Sequence, residues 1–244
     1  MSKKHVYGLI GFPLSHSFSP TYFNNKFERE KTNAVYKLFP LELIQDFPSL
    51  INAQPDLAGL NVTIPHKEKV IPFLDELSPE AAAIGAVNTI VFKNQKLIGH
   101  NTDAAAFENS LLSLKSTAKK ALIFGTGGAS KAVQYVLNKH DVSFQLIGRM
   151  AKSNSISYSD LSSELAKESA LWINCTPVGM SPKVNQNLDL PFSILTKNHT
   201  VIDLIYNPEE TRLLKIAKGF GAKTLNGLEM LHNQAQKAWE LWHA

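Results

Sequence analysis

Ala121-Leu122-Ile123-Phe124-Gly125-Thr126-Gly127-Gly128-Ala129-Ser130 is the stretch whose reading decides the fold. Four consecutive apolar residues, with Lys119-Lys120 before them and glycine after, read as a strand buried on both faces. A helix follows the glycines and runs to about Lys139. A strand that passes through such a turn into a helix is the context a dinucleotide-binding fingerprint requires. Gly125 permits the tight turn, Gly127 lets backbone approach a pyrophosphate, and Gly128 and Ala129 lead into the helix, whose N-terminus attracts phosphate. The small residue Ser130 keeps helix and sheet close. An ordinary strand-to-helix turn can also need glycine for its backbone angles, so the flanking elements carry the reading.

Downstream, Ser143 to Ile147, Leu171 to Asn174 and Val201 to Ile205 are further strand candidates. With helices in the gaps, this half reads as a parallel sheet with right-handed crossovers. The second strand ends in Leu146-Ile147-Gly148-Arg149-Met150, without the Asp or Glu that holds the ribose hydroxyls of NAD. An acid there would repel a 2′-phosphate, whereas the guanidinium of Arg149 can grip one, so NADP is the expected cofactor. Lys152 to Ser163 reads as a short, irregular, serine-rich connection.

Upstream, residues 5–10 form a strand candidate that runs into a turn-rich segment, Gly11 to Pro20. Ser19 is placed as the cap of a helix whose first turn holds Pro20. Val35 to Phe39 and Gly59 to Ile64 follow as strands. Val87 to Phe92 and Lys96 to Ile98 form a hairpin, and Thr102 to Leu114 a helix. The fold class is therefore α/β, with two α/β domains meeting near residue 103 and a final helix, Gly227 to Trp242, returning to the first.

The chain has 244 residues, 44% hydrophobic and 19% charged, with a formal net charge of +4. That surplus suits an anionic ligand, but nothing groups it into a nucleic-acid stripe; Lys3-Lys4 and Lys119-Lys120 are only pairs. Cys175, the single cysteine, allows no intrachain disulfide and no cysteine metal cluster. No apolar run is long enough for a bilayer, and the apolar stretch near the N-terminus is too short for a signal peptide. A cytoplasmic protein is expected.

Three polar residues stand on apolar stripes. Lys67 precedes Val70, Ile71, Leu74 and Leu77 at helical offsets, although Pro72 interrupts the run. Asp103 stands in the same relation to Phe107, Ser110, Leu111 and Leu114, and Gln234 to Met230, Leu231, Ala235 and Ala238. Each has a plain alternative: a lysine reaching past apolar neighbours into water, a carboxylate complementing the helix dipole, an amide satisfied by packing.

Joined in order, the segments resemble the shikimate dehydrogenase family across nearly the whole chain. They are Gly11-Phe12-Pro13 with His16-Ser17-Phe18-Ser19-Pro20, then Asn61-Val62-Thr63-Ile64-Pro65-His66-Lys67, Gly85-Ala86-Val87-Asn88-Thr89 and Gly99-His100-Asn101-Thr102-Asp103. The glycine turn, Asn174-Cys175-Thr176-Pro177-Val178-Gly179-Met180, Asp203-Leu204-Ile205-Tyr206 and Asn226-Gly227-Leu228-Glu229-Met230-Leu231 complete the set. The resemblance implies a substrate-binding domain over residues 1–103 plus 227–244, and a Rossmann-type NADP-binding domain over 104–226. It implies NADP-dependent interconversion of shikimate and 3-dehydroshikimate, with Lys67 and Asp103 as the catalytic pair. Ser17 and Ser19 match the hydroxyls that hold the substrate carboxylate, with Tyr206 nearby, and Thr63, Asn88 and Gln234 those that bind the ring hydroxyls. Gly125, Gly127, Gly128, Ala129, Arg149 and Thr176 fall at the cofactor, with Gly227 and Met230 toward its nicotinamide. A small molecule is the implied partner, with no nucleic acid or membrane; a homodimer is left open. Gly148 and Met150 depart from the family pattern around Arg149 and remove phosphate donors. A quinate dehydrogenase is the neighbouring alternative; the serine at position 19 favours shikimate.

Overall fold

The computed structural model describes residues 4–15 and 17–244; His16 and Lys3 of the quoted segments lie outside the described residues. Two compact units result, Met1–Thr102 with Ala235–Ala244, and Asp103–Gln234.

The first unit contains β1 (His5–Gly11), α1 (Ser19–Arg29), β2 (Ala34–Pro40), α2 (Phe47–Ala53), β3 (Leu57–Val62), β4 (Glu76–Leu77), α3 (Pro79–Ile84), β5 (Thr89–Lys93) and β6 (Lys96–His100). Their sheet has the order β2-β1-β3-β5-β6-β4. β1 runs parallel to β2 and β3, while β5 is antiparallel to β3 and β6. Both faces of the sheet are covered, which is why six of the seven β1 residues are buried. Ile10, Leu60, Val62 and Ile90 pack on one face with Phe47 and Ala81. Tyr7 and Leu9 pack on the other with Phe23, Phe27, Ala235 and Ala238. The indole N–H of Trp242 donates to the Ile90 carbonyl at 3.1 Å. A β-carbon on Gly59 would lie 2.3 Å from that indole nitrogen, so glycine makes the seat for the tryptophan.

The second unit contains α4 (Asp103–Ser113), β7 (Lys120–Phe124), α5 (Gly128–Lys139), β8 (Ser143–Gly148), β9 (Ser155–Ser157), α6 (Ser163–Glu168), β10 (Leu171–Asn174), β11 (Thr200–Asp203), α7 (Arg212–Gly219), β12 (Lys223–Leu225) and the start of α8 (Leu228–Trp242). All six strands are parallel, in the order β12-β11-β10-β7-β8-β9. The order reverses between β7 and β10, the doubly wound arrangement whose ligands bind outside the carboxyl ends at that switch point. Ala132, Val133, Val136 and Leu137 give α5 its buried face, and Leu122, Phe124, Trp172 and Val201 belong to the core of this unit.

Four sequence expectations are corrected. Ser19 is the first residue of α1 and not its cap; Phe18 occupies the cap position without a side-chain bond. The stripe that begins at Lys67 is not one helix: residues 67–70 form turns, Ile71–Phe73 a single 3-10 turn, and Glu76–Leu77 a strand. Val70, Ile71, Leu74 and Leu77 still pack into one core, because the turns, the 3-10 turn and the edge strand β4 all bury side chains in it. The serine-rich stretch is not merely irregular; Ser155–Ser157 adds β9 to the edge of β8. Between β10 and β11 the described residues contain no α-helix, only a 3-10 turn at Phe192–Ile194.

Candidate active site

The glycine turn leaves β7 at the switch point. Gly125 has a φ of +105°, and its N–H donates to the Ile147 carbonyl at 2.8 Å. A β-carbon there would come within 3.0 Å of Thr176 Cγ2, in the loop that leaves β10, so Gly125 and Thr176 meet across the point of reversal. Gly127 is different: a β-carbon on it would meet nothing within 4 Å. No neighbour in the protein demands glycine there, and the space beside the start of α5 fits close approach of a pyrophosphate to bare backbone. Gly128 and Ala129 begin the helix, half-buried, and Ser130 is fully buried with its hydroxyl donating to the Gly127 carbonyl at 2.7 Å. No acidic side chain occupies the first turn of α5, so its positive end is uncompensated by the chain.

Arg149 follows the last residue of β8, exposed and in no ion pair among the described residues. A β-carbon on Gly148 would lie 3.3 Å from Thr126 Cγ2, so glycine there lets the end of β8 approach the glycine turn. Met150, next to Arg149 in sequence, is 71% exposed and apolar. Burial pushes the phenol of Tyr158 up to about 12, and the nearby charge of Arg149 opposes the shift.

The loops after β10 and β11 are held by a buried polar network. Asn174 donates to Asp203 Oδ1 at 3.0 Å and accepts from the backbone and hydroxyl of Thr176 at 2.9 and 2.7 Å. The Asp203 carboxylate also accepts from the Ile205 N–H at 3.1 Å and from the Thr211 hydroxyl at 2.6 Å. Thr176 is therefore set by its neighbours before any ligand arrives. Gly227 donates its N–H to the Ile205 carbonyl at 3.0 Å, and Tyr206 lies half-buried between them in sequence. Met230 is buried on α8, and the Gln234 amide donates to the Leu231 carbonyl at 3.0 Å. Asp103 opens α4, 5% exposed, with Phe107, Ser110 and Leu111 buried after it; Leu114, the fourth residue of the stripe, is half-buried and lies beyond the end of the helix at Ser113.

In the first unit, five of the predicted residues leave one end of the sheet. Ser17 and Ser19 follow β1, Thr63 and Lys67 follow β3, and Asn88 precedes β5, which is antiparallel to β3 and so starts at the same end. The Ser17 hydroxyl accepts from the Ser19 N–H at 3.3 Å. A β-carbon on Gly11 would sit 2.4 Å from Thr63 Cγ2, so glycine brings the exit of β1 against that of β3. Lys67 is half-buried, and its carbonyl accepts from the Val87 N–H at 2.7 Å, which ties its turn to the segment before Asn88. The buried Asn88 amide is locked to Thr102: its Oδ1 accepts from the Thr102 N–H at 2.7 Å and its Nδ2 donates to that hydroxyl at 2.9 Å.

Sequence reasoning passed over two residues behind this cluster, Tyr36 on β2 and Asn61 on β3. The Tyr36 phenol donates to Asn61 Oδ1 at 2.8 Å, and Asn61 Nδ2 donates to the Asn88 carbonyl at 3.3 Å and to Thr89 Oγ1 at 3.2 Å. A polar residue between Leu60 and Val62 was the available signal, since a buried amide must find partners.

The profile of the shikimate dehydrogenase substrate binding domain matches residues 9–90. A curated relative, the shikimate dehydrogenase (NADP(+)) of Desulforamulus reducens, is 41% identical over 264 residues, taking in 98% of this chain and 90% of its own. The chain belongs to the shikimate dehydrogenase family. Solved shikimate dehydrogenases share the fold from end to end. That of Aquifex aeolicus superposes with a TM-score of 0.87 at 36% identity, covering 98% of this chain and 92% of that one. That of Thermus thermophilus, solved in complex with NADP(H) and shikimate, gives 0.85 at 30% identity, with 98% and 93% covered. Within the shikimate dehydrogenase fold, the mixed sheet is the N-terminal substrate-binding domain and the parallel sheet the C-terminal Rossmann-type domain.

Proposed function

We propose that the protein catalyses the reversible NADP-dependent reduction of 3-dehydroshikimate to shikimate, in the cytoplasm, on the route to chorismate and the aromatic amino acids. The observation that carries this reading is the convergence of Ser17, Ser19, Thr63, Lys67 and Asn88 at one end of the first sheet, in a chain whose other sheet carries the glycine turn at its switch point. The relatives named above point the same way.

In this reading the Ser17 and Ser19 hydroxyls hold the carboxylate, with Tyr206 beside it, and Thr63, Asn88 and Gln234 hold the ring hydroxyls. Bound NADP supplies the hydride acceptor or donor. In the oxidative direction the hydride of the carbinol carbon would pass to that cofactor, while the Lys67 amine takes the hydroxyl proton as the C–O bond becomes a carbonyl. Asp103 orients the lysine and offsets its charge once it is protonated. Backbone at Gly125, Gly127, Gly128 and Ala129, with Thr176, holds the pyrophosphate. Arg149 would take the 2′-phosphate, and Gly227 and Met230 would lie toward the nicotinamide. In these terms residues 1–103 with 227–244 form the substrate-binding domain and 104–226 the cofactor domain.

The test is a steady-state assay at the NADPH absorbance band, with shikimate and quinate each offered with NADP and NAD. Shikimate with NADP is expected to give the highest kcat/KM. Quinate as the better substrate, or no turnover of either, would overturn the reading.

A further inference from the structure

Asp203 ends β11 fully buried, and among the described residues no lysine, arginine or histidine forms an ion pair with it. A buried carboxylate without a cation is costly, and an apolar side chain of similar size would need no such desolvation. The carboxylate stands one strand away from the point where the order of the parallel sheet reverses. Three donors converge on it: Asn174 Nδ2 at 3.0 Å and the Ile205 N–H at 3.1 Å on Oδ1, and the Thr211 hydroxyl at 2.6 Å on Oδ2.

The direction of these bonds is set at the far end. The Thr176 N–H can only donate, so the Asn174 atom that accepts it at 2.9 Å is Oδ1, and the atom left to face Asp203 is the nitrogen. Only an acceptor at position 203 satisfies that nitrogen and the Ile205 N–H together. The bonds continue to the next loop. Ile205 accepts the Gly227 N–H on its carbonyl at 3.0 Å, and the Leu204 N–H donates to the Asn174 carbonyl at 3.0 Å. Thr176 itself lies against the glycine turn, where a β-carbon on Gly125 would come within 3.0 Å of its Cγ2. All of these residues belong to the second unit.

We infer that Asn174 and Asp203 are positioning residues for the cofactor: they hold Thr176, against the glycine turn, and Gly227, before α8, in one fixed arrangement. Both are fully buried, so they act through those two residues. The inference rests on the reading of Thr176 and Gly227 as cofactor residues. A network that only stabilises the fold would make the same bonds, so affinity and melting must be measured separately.

The experiment compares Asp203→Leu with Asp203→Asn. Asparagine keeps an acceptor for Asn174 and Ile205, whereas leucine fills the space and accepts nothing. In Asp203→Leu the dissociation constant of NADP, titrated by calorimetry without shikimate, is expected to rise about 5- to 30-fold, the scale of losing a buried hydrogen-bonding group, with the KM for shikimate within about twofold. NAD should weaken by the same factor, because Thr176 and Gly227 serve the part common to both cofactors. Asp203→Asn should bind NADP within about threefold of wild type. If Asp203→Leu is recovered unfolded, Asn174→Ala in the Asp203→Asn background, which leaves no buried charge short of a donor, is compared with Asp203→Asn alone and the same outcomes decide. A folded variant that melts lower yet binds NADP like wild type overturns the positioning role. So does one in which the shikimate and NADP constants rise together, or an Asp203→Asn protein as weak as Asp203→Leu. Wild type that binds NADP but fails to oxidise shikimate overturns the functional reading alone; wild type that binds neither cofactor overturns both.

Discussion

Asn174 and Asp203, both fully buried, are joined by a 3.0 Å hydrogen bond across the carboxyl ends of two adjacent strands. Asp203 collects donors from Asn174, Ile205 and Thr211, all of which favour its charged form. Desolvation outweighs them and pushes the carboxyl up to about 6, from 3.8. With the folded value raised above the unfolded one, the stability this group contributes is full below about pH 4 and is lost as pH rises through about 6. The span is roughly 3 kcal/mol at 1.36 kcal/mol per unit, an upper figure for a group that keeps its three donors. Asp203→Asn cannot titrate. Denaturant unfolding of both proteins at pH 4.5 and pH 8 should show wild type losing stability relative to the variant at the higher pH. A constant difference between them would mean that Asp203 ionises normally.

Gly127 and Gly227 should separate cofactor binding from folding. A β-carbon at 127 meets nothing within 4 Å, so Gly127→Ala should fold and melt near wild type. It should weaken NADP binding by an order of magnitude or more, because the methyl group occupies the approach of the pyrophosphate. At 227 the β-carbon would lie 2.1 Å from the Leu204 carbonyl oxygen, a backbone atom that cannot step aside. Gly227→Ala should cost at least about 2 kcal/mol of stability. Thermal melts and NADP titration by fluorescence decide both; a Gly127→Ala protein with unchanged NADP affinity would remove the pyrophosphate from that turn.

Arg149→Ala should raise the KM for NADP about 10- to 100-fold, the worth of one charge-assisted contact, and leave that for NAD almost unchanged. Gly148 and Met150 offer no side-chain donors beside it, so the arginine should carry more of the preference here than it would with polar neighbours. Equal losses for the two cofactors would make Arg149 a structural residue.

Lys67→Ala should lower kcat by about 10²- to 10⁴-fold, the usual range for a lost acid–base group, with a much smaller change in the dissociation constant of shikimate. Asp103→Asn should also slow turnover. The double variant should lose less than the product of the two singles, as groups acting as a unit do. Circular dichroism must first show each variant folded. Turnover within a few-fold of wild type in folded Lys67→Ala would leave the lysine a surface residue and the mechanism wrong.

Which of these residues could be read beforehand depended on how local their cause is. β7, its glycine turn and α5 follow from neighbours within a few positions: an apolar run, a residue held at positive φ, a helical stripe. They appear where the sequence placed them. Lys67 shows the limit. Its stripe has helical spacing because a turn, a 3-10 turn and the edge strand β4 each bury one side in the same core, and burial on one side can imitate a helix. β9 left no signal, since three residues with two serines carry no period; they are a strand because the edge of β8 offers unpaired backbone groups.

By itself the sequence determined the α/β class, the parallel sheet with its nucleotide turn, the missing acid before Arg149, and the identity of the polar residues that break apolar runs. Each is a matter of periodicity or of side-chain chemistry at a known offset. Only the tertiary structure decided that Ser17, Ser19, Thr63, Lys67 and Asn88 leave one end of one sheet, because that depends on β5 running against β3. It alone distinguished Gly127, beside open space, from Gly227, pressed on backbone, and it alone linked Tyr36 to the Asn88 carbonyl through Asn61. Hydrogen bonds and close contacts between residues tens of positions apart are set by how strands pair and pack, and no local spacing encodes them.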